Sequence, residues 1–258
     1  MEALNFNLSP RRNGTGIAVS VMECYSSWSL QDWMAIVRSL EHISHPNLVK
    51  LLGYCCEDNK SLFLVFEYSH KGSLDRHIFG KEEALPWEIR VKIAIGTAKG
   101  IAFLHSIKNS PLNRELRMHN NILDEVQYNV KLFYLDTTKQ YCLEDEDNCV
   151  MYMHYAGRLG IESDVYIFGV ILLELLTGSR YRKIMENKQA LHLWSTSMLP
   201  TNHKIGEIID SRLGNDYPAD ATTQMGTLIN RCTTLAMKKR PLMQQVLDSL
   251  NDIAEIKD

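Results

Sequence analysis

The spacing of apolar residues changes character about a quarter of the way along the chain. Residues 16–24, GIAVSVMEC, are short and rich in β-branched side chains, which predicts a strand. After Ser29, a cap residue, Trp33, Ile36, Val37 and Leu40 recur at helical spacing within 29–43. Two further apolar runs, NLVKLLGYCCED and SLFLVFEY, read as strands joined by a polar turn at Asp58, Asn59 and Lys60. From Gly72 onward helices take over. GSLDRHIF predicts a short helix capped by Ser73. Residues 85–107 predict a long one, with Ile89, Val91, Ile93, Ala94, Ala98, Ile101, Ala102 and Leu104 on its apolar face. Two short strands follow near 121–124 and 129–133, and further helices are expected at 163–177, 189–197, 204–211, 220–236 and 241–254. The pattern is a small α+β unit followed by a helical unit, meeting near FEYSHKG, without internal repeats.

Composition narrows the picture. At 258 residues, 45% hydrophobic and 23% charged, the chain suits one large domain or two lobes with a sizeable core. A net charge of −3 gives no reason to expect nucleic acid or an anionic membrane as partner. The six cysteines, at 24, 55, 56, 142, 149 and 232, form no C-x-x-C pair, which favours scattered reduced thiols over disulfides or zinc. The apolar run VYIFGVILLELLTG is interrupted by Gly169 and Glu174 and falls short of the roughly 20 residues of a membrane span. The first residues lack an apolar signal core, and Glu2 does not suit N-myristoylation. A cytoplasmic protein is expected, recruited to the plasma membrane through partners if at all.

Several ordered segments carry a resemblance. HISHPNLVKLLGYCCEDNKSLFLVFEYSHKGSLDRHIF, AKGIAFLHS, SDVYIFGVILLELLTG and KKRPLMQQVL together resemble the plant receptor-like cytoplasmic kinases. The resemblance implies an α+β, two-lobed protein kinase-like fold. Residues 1–13 would be a tail, 14–68 a truncated, β-rich N-lobe, and 69–258 a helical C-lobe. It also implies where catalytic groups should stand. Kinase chemistry positions ATP and two metal ions with a glycine-rich loop, a strand lysine paired to a helix glutamate, a base aspartate with a nearby asparagine, and a metal-binding aspartate in D-F-G.

Measured against those positions, the charge-handling groups are missing. The residues before GIAVSVM lack G-x-G-x-x-G, and NGTG reads as a turn between strands. Met22 occupies the lysine position and Ile36 that of its glutamate partner. Losing one member of a buried ion pair costs roughly 3–5 kcal/mol, whereas replacing both by apolar groups is often neutral. The pair therefore reads as a repaired core, and neither Lys50 nor Lys60 is expected to substitute. The catalytic loop becomes Asn113-Arg114-Glu115-Leu116-Arg117-Met118-His119-Asn120. Glu115, one methylene longer than aspartate, would misplace its carboxylate by about 1 Å, a displacement that can cost on the order of 10²-fold. Asn120 matches the metal-binding asparagine, with Asn121 as substitute if the frame slips by one; His119 reads as a surface residue. D-F-G becomes Tyr134-Leu135-Asp136. Asp136 stands two positions late, roughly 7 Å in extended chain, against metal–oxygen distances of about 2.1 Å.

What persists is packing. Asp164 would anchor the catalytic loop, and Phe168, Val170, Leu172 and Leu173 would fill the C-lobe. Phe66, Glu67 and Tyr68 would keep the hinge. Arg240, whose glutamate partner in the family is missing before SDVY, must find another partner or face water. The acidic run Glu144, Asp145, Glu146 and Asp147 is a solvated loop or a docking surface for a basic partner. The resemblance thus implies a catalytically inactive kinase-like protein, a pseudokinase. Such proteins act as scaffold, decoy or allosteric partner of an active kinase, receptor or immune sensor. No cofactor and no metal site is expected. The alternatives are a weak Ser/Thr protein kinase using Glu115 and Asn120, an ATP-binding switch without catalysis, and a decayed gene product.

Overall fold

The computed structural model describes residues 16–24, 29–57, 61–69, 71–80, 84–107, 118–124, 127–135, 160–186 and 208–257. The small lobe contains strand β1 (Val19–Cys24), helix α1 (Leu30–Glu41) and strands β2 (Leu51–Glu57) and β3 (Ser61–Glu67). The strands form an antiparallel sheet in the order β1-β3-β2, with Met22 opposite Leu64 and Val19 opposite Glu67. A register shift between Leu51 and Gly53 kinks β2. Helix α1 lays Trp33, Val37 and Leu40 into the core, and the Trp33 ring meets Tyr54 of β2 edge-on at 5.5 Å. This is the strand, helix, strand, strand order that the apolar spacing predicts.

The large lobe begins with α2 (Leu74–Phe79) and α3 (Trp87–Ser106), followed by a 3₁₀ turn at Met118–Asn120 and the hairpin of β4 (Asn121–Leu123) and β5 (Val130–Leu132). Then come α4 (Ile161–Thr177), the short α5 (Tyr181–Glu186), a 3₁₀ turn at Ser211–Leu213, α6 (Ala219–Cys232), a 3₁₀ turn at Met237–Lys239 and α7 (Met243–Glu255). Helix α4 is buried on nearly every side, with Phe168, Val170, Leu172 and Leu173 in the core. No helix among the described residues is long and apolar enough to cross a membrane.

Several local expectations need correction. Ser73 occupies the cap position of α2, but its hydroxyl makes no capping bond; its backbone instead bridges to Ile122 and its carbonyl accepts from Arg76. On α3, Ile89 and Ala102 are only half-buried, while Arg90 and Thr97 are buried. The helix expected over 204–211 does not extend across 208–210, because Asp210 turns its carboxylate onto the Arg212 N–H and starts a 3₁₀ turn. The helix expected to reach 236 stops at Cys232, and Arg240 takes the Thr234 carbonyl beyond its end. Helix α5 has no counterpart in the sequence reading. The helix expected at 189–197, the polar turn at 58–60 and the NGTG turn up to residue 15 lie outside the described residues.

The two lobes are stapled at one loop. Asn47, between α1 and β2, donates its amide to the Val130 carbonyl at 3.0 Å, and its own carbonyl accepts from Leu132 at 2.8 Å. Val49 then donates to the Leu132 carbonyl at 3.0 Å. Helix α3 reaches this loop because it carries no side chain at two positions. A Cβ on Gly100 would meet the Asn47 carbonyl at 3.0 Å, and one on Gly96 would run into Val130. His45 completes the loop, stacked on Phe103 at 4.8 Å and accepting through Nδ1 from the Asn47 N–H. Burial, with Lys99 nearby, holds its imidazole below the ordinary histidine range, so the ring stays neutral.

Candidate functional site

The site lies between the sheet and the β4–β5 hairpin, at the positions where the kinase resemblance places catalysis. On the upper side, Met22 of β1 and Ile36 of α1 are half-buried and pack against the continuous core. Among the described residues Lys50 does not take their place: it is exposed, and its bonds are made by its backbone, the N–H donating to the Glu67 carboxylate at 2.8 Å and the carbonyl accepting from the Glu67 N–H at 3.0 Å. Lys60 lies outside the described residues.

The hinge is structural. Phe66 is fully buried and meets Phe133 edge-on, with ring centroids 5.1 Å apart. One carboxylate oxygen of Glu67 accepts from the Lys50 N–H, and the other pairs with Lys131 Nζ of β5 at 2.5 Å. The Glu67 side chain is thereby committed to joining β2, β3 and β5. Tyr68, also predicted for the hinge, is half exposed.

On the lower side Asn120 and Asn121 differ in what they bond. Asn121 is fully buried and accepts from the Thr97 hydroxyl at 2.7 Å, so it is occupied by α3. Asn120, expected at the metal position, is bonded differently. Its backbone carbonyl accepts from Phe133 at 2.7 Å, and its side-chain oxygen is buried without a hydrogen-bond partner. Next to Phe133 comes Tyr134, 8% exposed, whose hydroxyl likewise lacks a partner. Burial pushes its phenol well above the ordinary tyrosine range, so it remains a neutral O–H at any physiological pH. Leu135 is buried beside it.

These donors do not fit a magnesium–nucleotide complex. Magnesium is held by carboxylates, phosphates and water in near-ideal octahedra. The described residues offer an amide oxygen and a protonated phenol at the two ligand positions and a thioether where a cation would meet phosphate. Among them no group of three or more His, Cys, Asp or Glu side chains could hold a metal ion. Arg114, Glu115 and Asp136 lie outside the described residues, as do the His119 side chain and the acidic run 144–147.

The supporting elements are intact and carry what charge remains. His105 at the end of α3 pairs through Nε2 with Asp164 of α4 at 2.8 Å. Asp164, expected to anchor the catalytic loop, ties two helices together; residues 111–117 of that loop lie outside the described residues. Arg240 has found new partners. It is buried, donates to the carbonyls of Thr234 and Glu162 at 2.9 Å each, and lies over the Tyr166 ring at 4.8 Å. Below them, Arg90 is 2% exposed and donates to the carbonyls of Leu85 and Leu175 and to Asp210. Asp210 also accepts from the Arg212 guanidinium at 2.9 and 2.8 Å. Burial pushes the Asp210 carboxyl up, but the hydrogen bonds from Arg212 and Arg90 outweigh it and hold it below the usual carboxylate range. Neither this knot nor the Asn121–Thr97 bond was visible in the sequence reading. The one available signal was an arginine inside the apolar run WEIRVKIAIG.

Solved structures share this architecture. The chain is similar to the pseudokinase domain of BIR2, an immune regulator of the RLK/Pelle family, with a TM-score of 0.73 at 23% identity over 97% of this chain and 82% of that one. It is similar also to the pseudokinase DRIK1, a drought responsive inactive kinase crystallised with ENMD-2076, with a TM-score of 0.71 at 24% identity over 94% of this chain and 85% of that one. At these identities the likeness establishes the two-lobed kinase fold.

The chain belongs to the protein tyrosine and serine/threonine kinase family, whose model matches residues 4–250. It is 69% identical to the inactive serine/threonine-protein kinase BKN1 of Arabidopsis thaliana over 97% of this chain and 78% of that protein. To the inactive kinase BKN2 of the same plant it is 62% identical, over 95% and 76%. Such identity to two kinases named inactive makes the chain a pseudokinase.

Proposed function

We propose that the protein acts through protein–protein contact, as scaffold, decoy or allosteric partner of an active kinase, receptor or immune sensor in plant signalling. The observation that carries this is selective loss. The packing positions of both lobes are filled, while the lysine, its glutamate and the metal aspartate have become Met22, Ile36 and the buried, protonated Tyr134. A decayed gene product would be expected to lose core and site alike; here the core is continuous from Cys24 to Ile253. The kind of company it keeps supports the same reading. BIR2 is described as an immune regulator, and a relative from Nicotiana benthamiana, 36% identical, is an EPD1-interacting receptor-like cytoplasmic kinase. By that kinship the protein works in the cytoplasm and reaches the plasma membrane through its partners; the neutral side chains at Met22, Ile36 and Tyr134 support the reading that it uses neither ATP nor magnesium.

Two measurements test this. Pure protein incubated with labelled ATP and magnesium transfers no phosphate to itself or to a general substrate. Its melting temperature stays unchanged under ATP and magnesium, because a ligand stabilises a fold only as far as it binds it. Transfer abolished by Glu115→Ala would refute the reading, and would favour a weak kinase. A shift that persists in EDTA would mark a metal-free nucleotide switch instead. Affinity capture with mass spectrometry then identifies the partners.

A further inference from the structure

One corner of the C-lobe is built unlike the rest of its surface. Among the described residues, seven large hydrophobic side chains are exposed, and three of them stand within two residues of Arg240 or of a carbonyl it holds: Ile161, Leu235 at 71% and Leu242 at 62%. The guanidinium itself sets their proximity. It holds the carbonyl of Thr234, next to Leu235, and the carbonyl of Glu162, next to Ile161, while Leu242 follows two residues after it in the chain. The buried arginine, satisfied by backbone and by Tyr166, therefore pins three segments at one place. The exposed residues between Leu235 and Leu242 include Lys238 and Lys239. Helix α7 starts at Met243, adding the partial positive charge of its N-terminus, although the Leu242 N–H is already capped by Gln245. Glu162, next to Ile161 and held through its carbonyl by Arg240, is an exposed acidic residue beside this cluster.

We infer that this corner, Ile161, Leu235 and Leu242 with Lys238 and Lys239, is a docking surface for an acidic, leucine-bearing segment of a partner protein. The inference rests on the protein-partner function proposed above and specifies its surface. Charge complementarity selects the occupant. Two adjacent lysines beside exposed leucines repel a basic partner and attract an acidic one, and the leucines supply the apolar anchor that a purely ionic contact lacks.

The test uses the full chain and three labelled synthetic helical peptides followed by fluorescence anisotropy. One is rich in glutamate with leucines on one face, the second has serine for leucine, and the third has lysine for glutamate. The first is expected to bind, more weakly as salt is raised, and the other two are not. Leu235→Ser with Leu242→Ser weakens it by about tenfold or more, since burying a single leucine is already worth that much. Lys238→Glu with Lys239→Glu does the same, and both variants keep the parent melting temperature because these side chains face solvent. Equal binding of all three peptides, or binding indifferent to both variants, overturns the inference. So does sedimentation showing that the surface pairs two copies of this chain without binding peptide. Neither variant touches the residues of the cleft, so the surface can fail while the absence of phosphate transfer and the capture of partners elsewhere still stand.

Discussion

Replacing Asp210 by alanine tests the reading of the C-lobe most severely. Asp210 is 5% exposed and is the counter-ion of Arg90, which is 2% exposed. The substitution leaves a buried guanidinium held only by the carbonyls of Leu85 and Leu175. Stranding a buried charge costs about 3–5 kcal/mol, against a total of about 5–15 kcal/mol for a domain. In a domain of this size that lowers the melting temperature by roughly 10 °C. Arg212→Ala is the control. Its side chain is 34% exposed, and losing its bonds to Asp210 and to the Ile78 carbonyl near water costs about 1–2 kcal/mol. Urea unfolding followed by circular dichroism gives both numbers. Adding Arg90→Met to Asp210→Ala removes the stranded charge and recovers part of the loss, though the two carbonyls then lack their donor. The pH dependence has a definite sign. The Asp210 carboxyl lies lower in the folded than in the unfolded chain, so its contribution is present above the ordinary carboxylate pKa. It disappears as pH falls through the folded value. The parent thus loses stability in acid that the alanine variant no longer has to lose. An Asp210→Ala protein within about 1 kcal/mol of the parent would refute the argument, because it would mean that Arg90 tolerates burial without a counter-ion.

Other consequences are quickly stated. Tyr134→Phe removes a buried hydroxyl without a partner and should stabilise the protein by about 1 kcal/mol, read from the urea midpoint. In absorbance titration, the tyrosine signal lost on going from the parent to this variant should lie above the ordinary tyrosine range. Met22→Lys sets an ammonium among apolar neighbours and should cost about 1–2 kcal/mol in chemical denaturation. Ile36→Glu in the same chain recovers stability, yet labelled ATP still gives no phosphate transfer, because Tyr134 remains at the metal position. Gly178→Ala drives a Cβ into the Asp210 carboxylate from a backbone at φ +62°, and should lower the melting temperature by several degrees at about 1–2 kcal/mol or more.

The order of elements was readable because burial there follows a local period. Trp33, Val37 and Leu40 announce a buried helical face, and the alternation of Leu62, Leu64 and Phe66 a strand with one face inward. The site was readable for a different reason. Met22, Ile36 and Tyr134 stand within segments whose frame is fixed by flanking residues, so each substitution could be placed by counting. Contacts between distant residues were not readable. Arg90 and Asp210 are 120 positions apart, and nothing near either names the other. The difference in bonding between Asn120 and Asn121 likewise needed the Thr97 hydroxyl, which lies a full helix away in sequence. The misplaced helix at 204–211 has the same origin, since Asp210 serves a distant arginine and caps its own turn in place of continuing a helix.

The Asn47 staple has a consequence for how such a molecule can be used. An active enzyme of this architecture must let its halves part to exchange substrate and product, and joints that permit this cost it rigidity. Here one amide and two backbone bonds join the loop after α1 to β5 and fix the two halves to each other at that point. A protein that touches both halves at once then meets a template already set in shape, and spends little of its binding energy on ordering it.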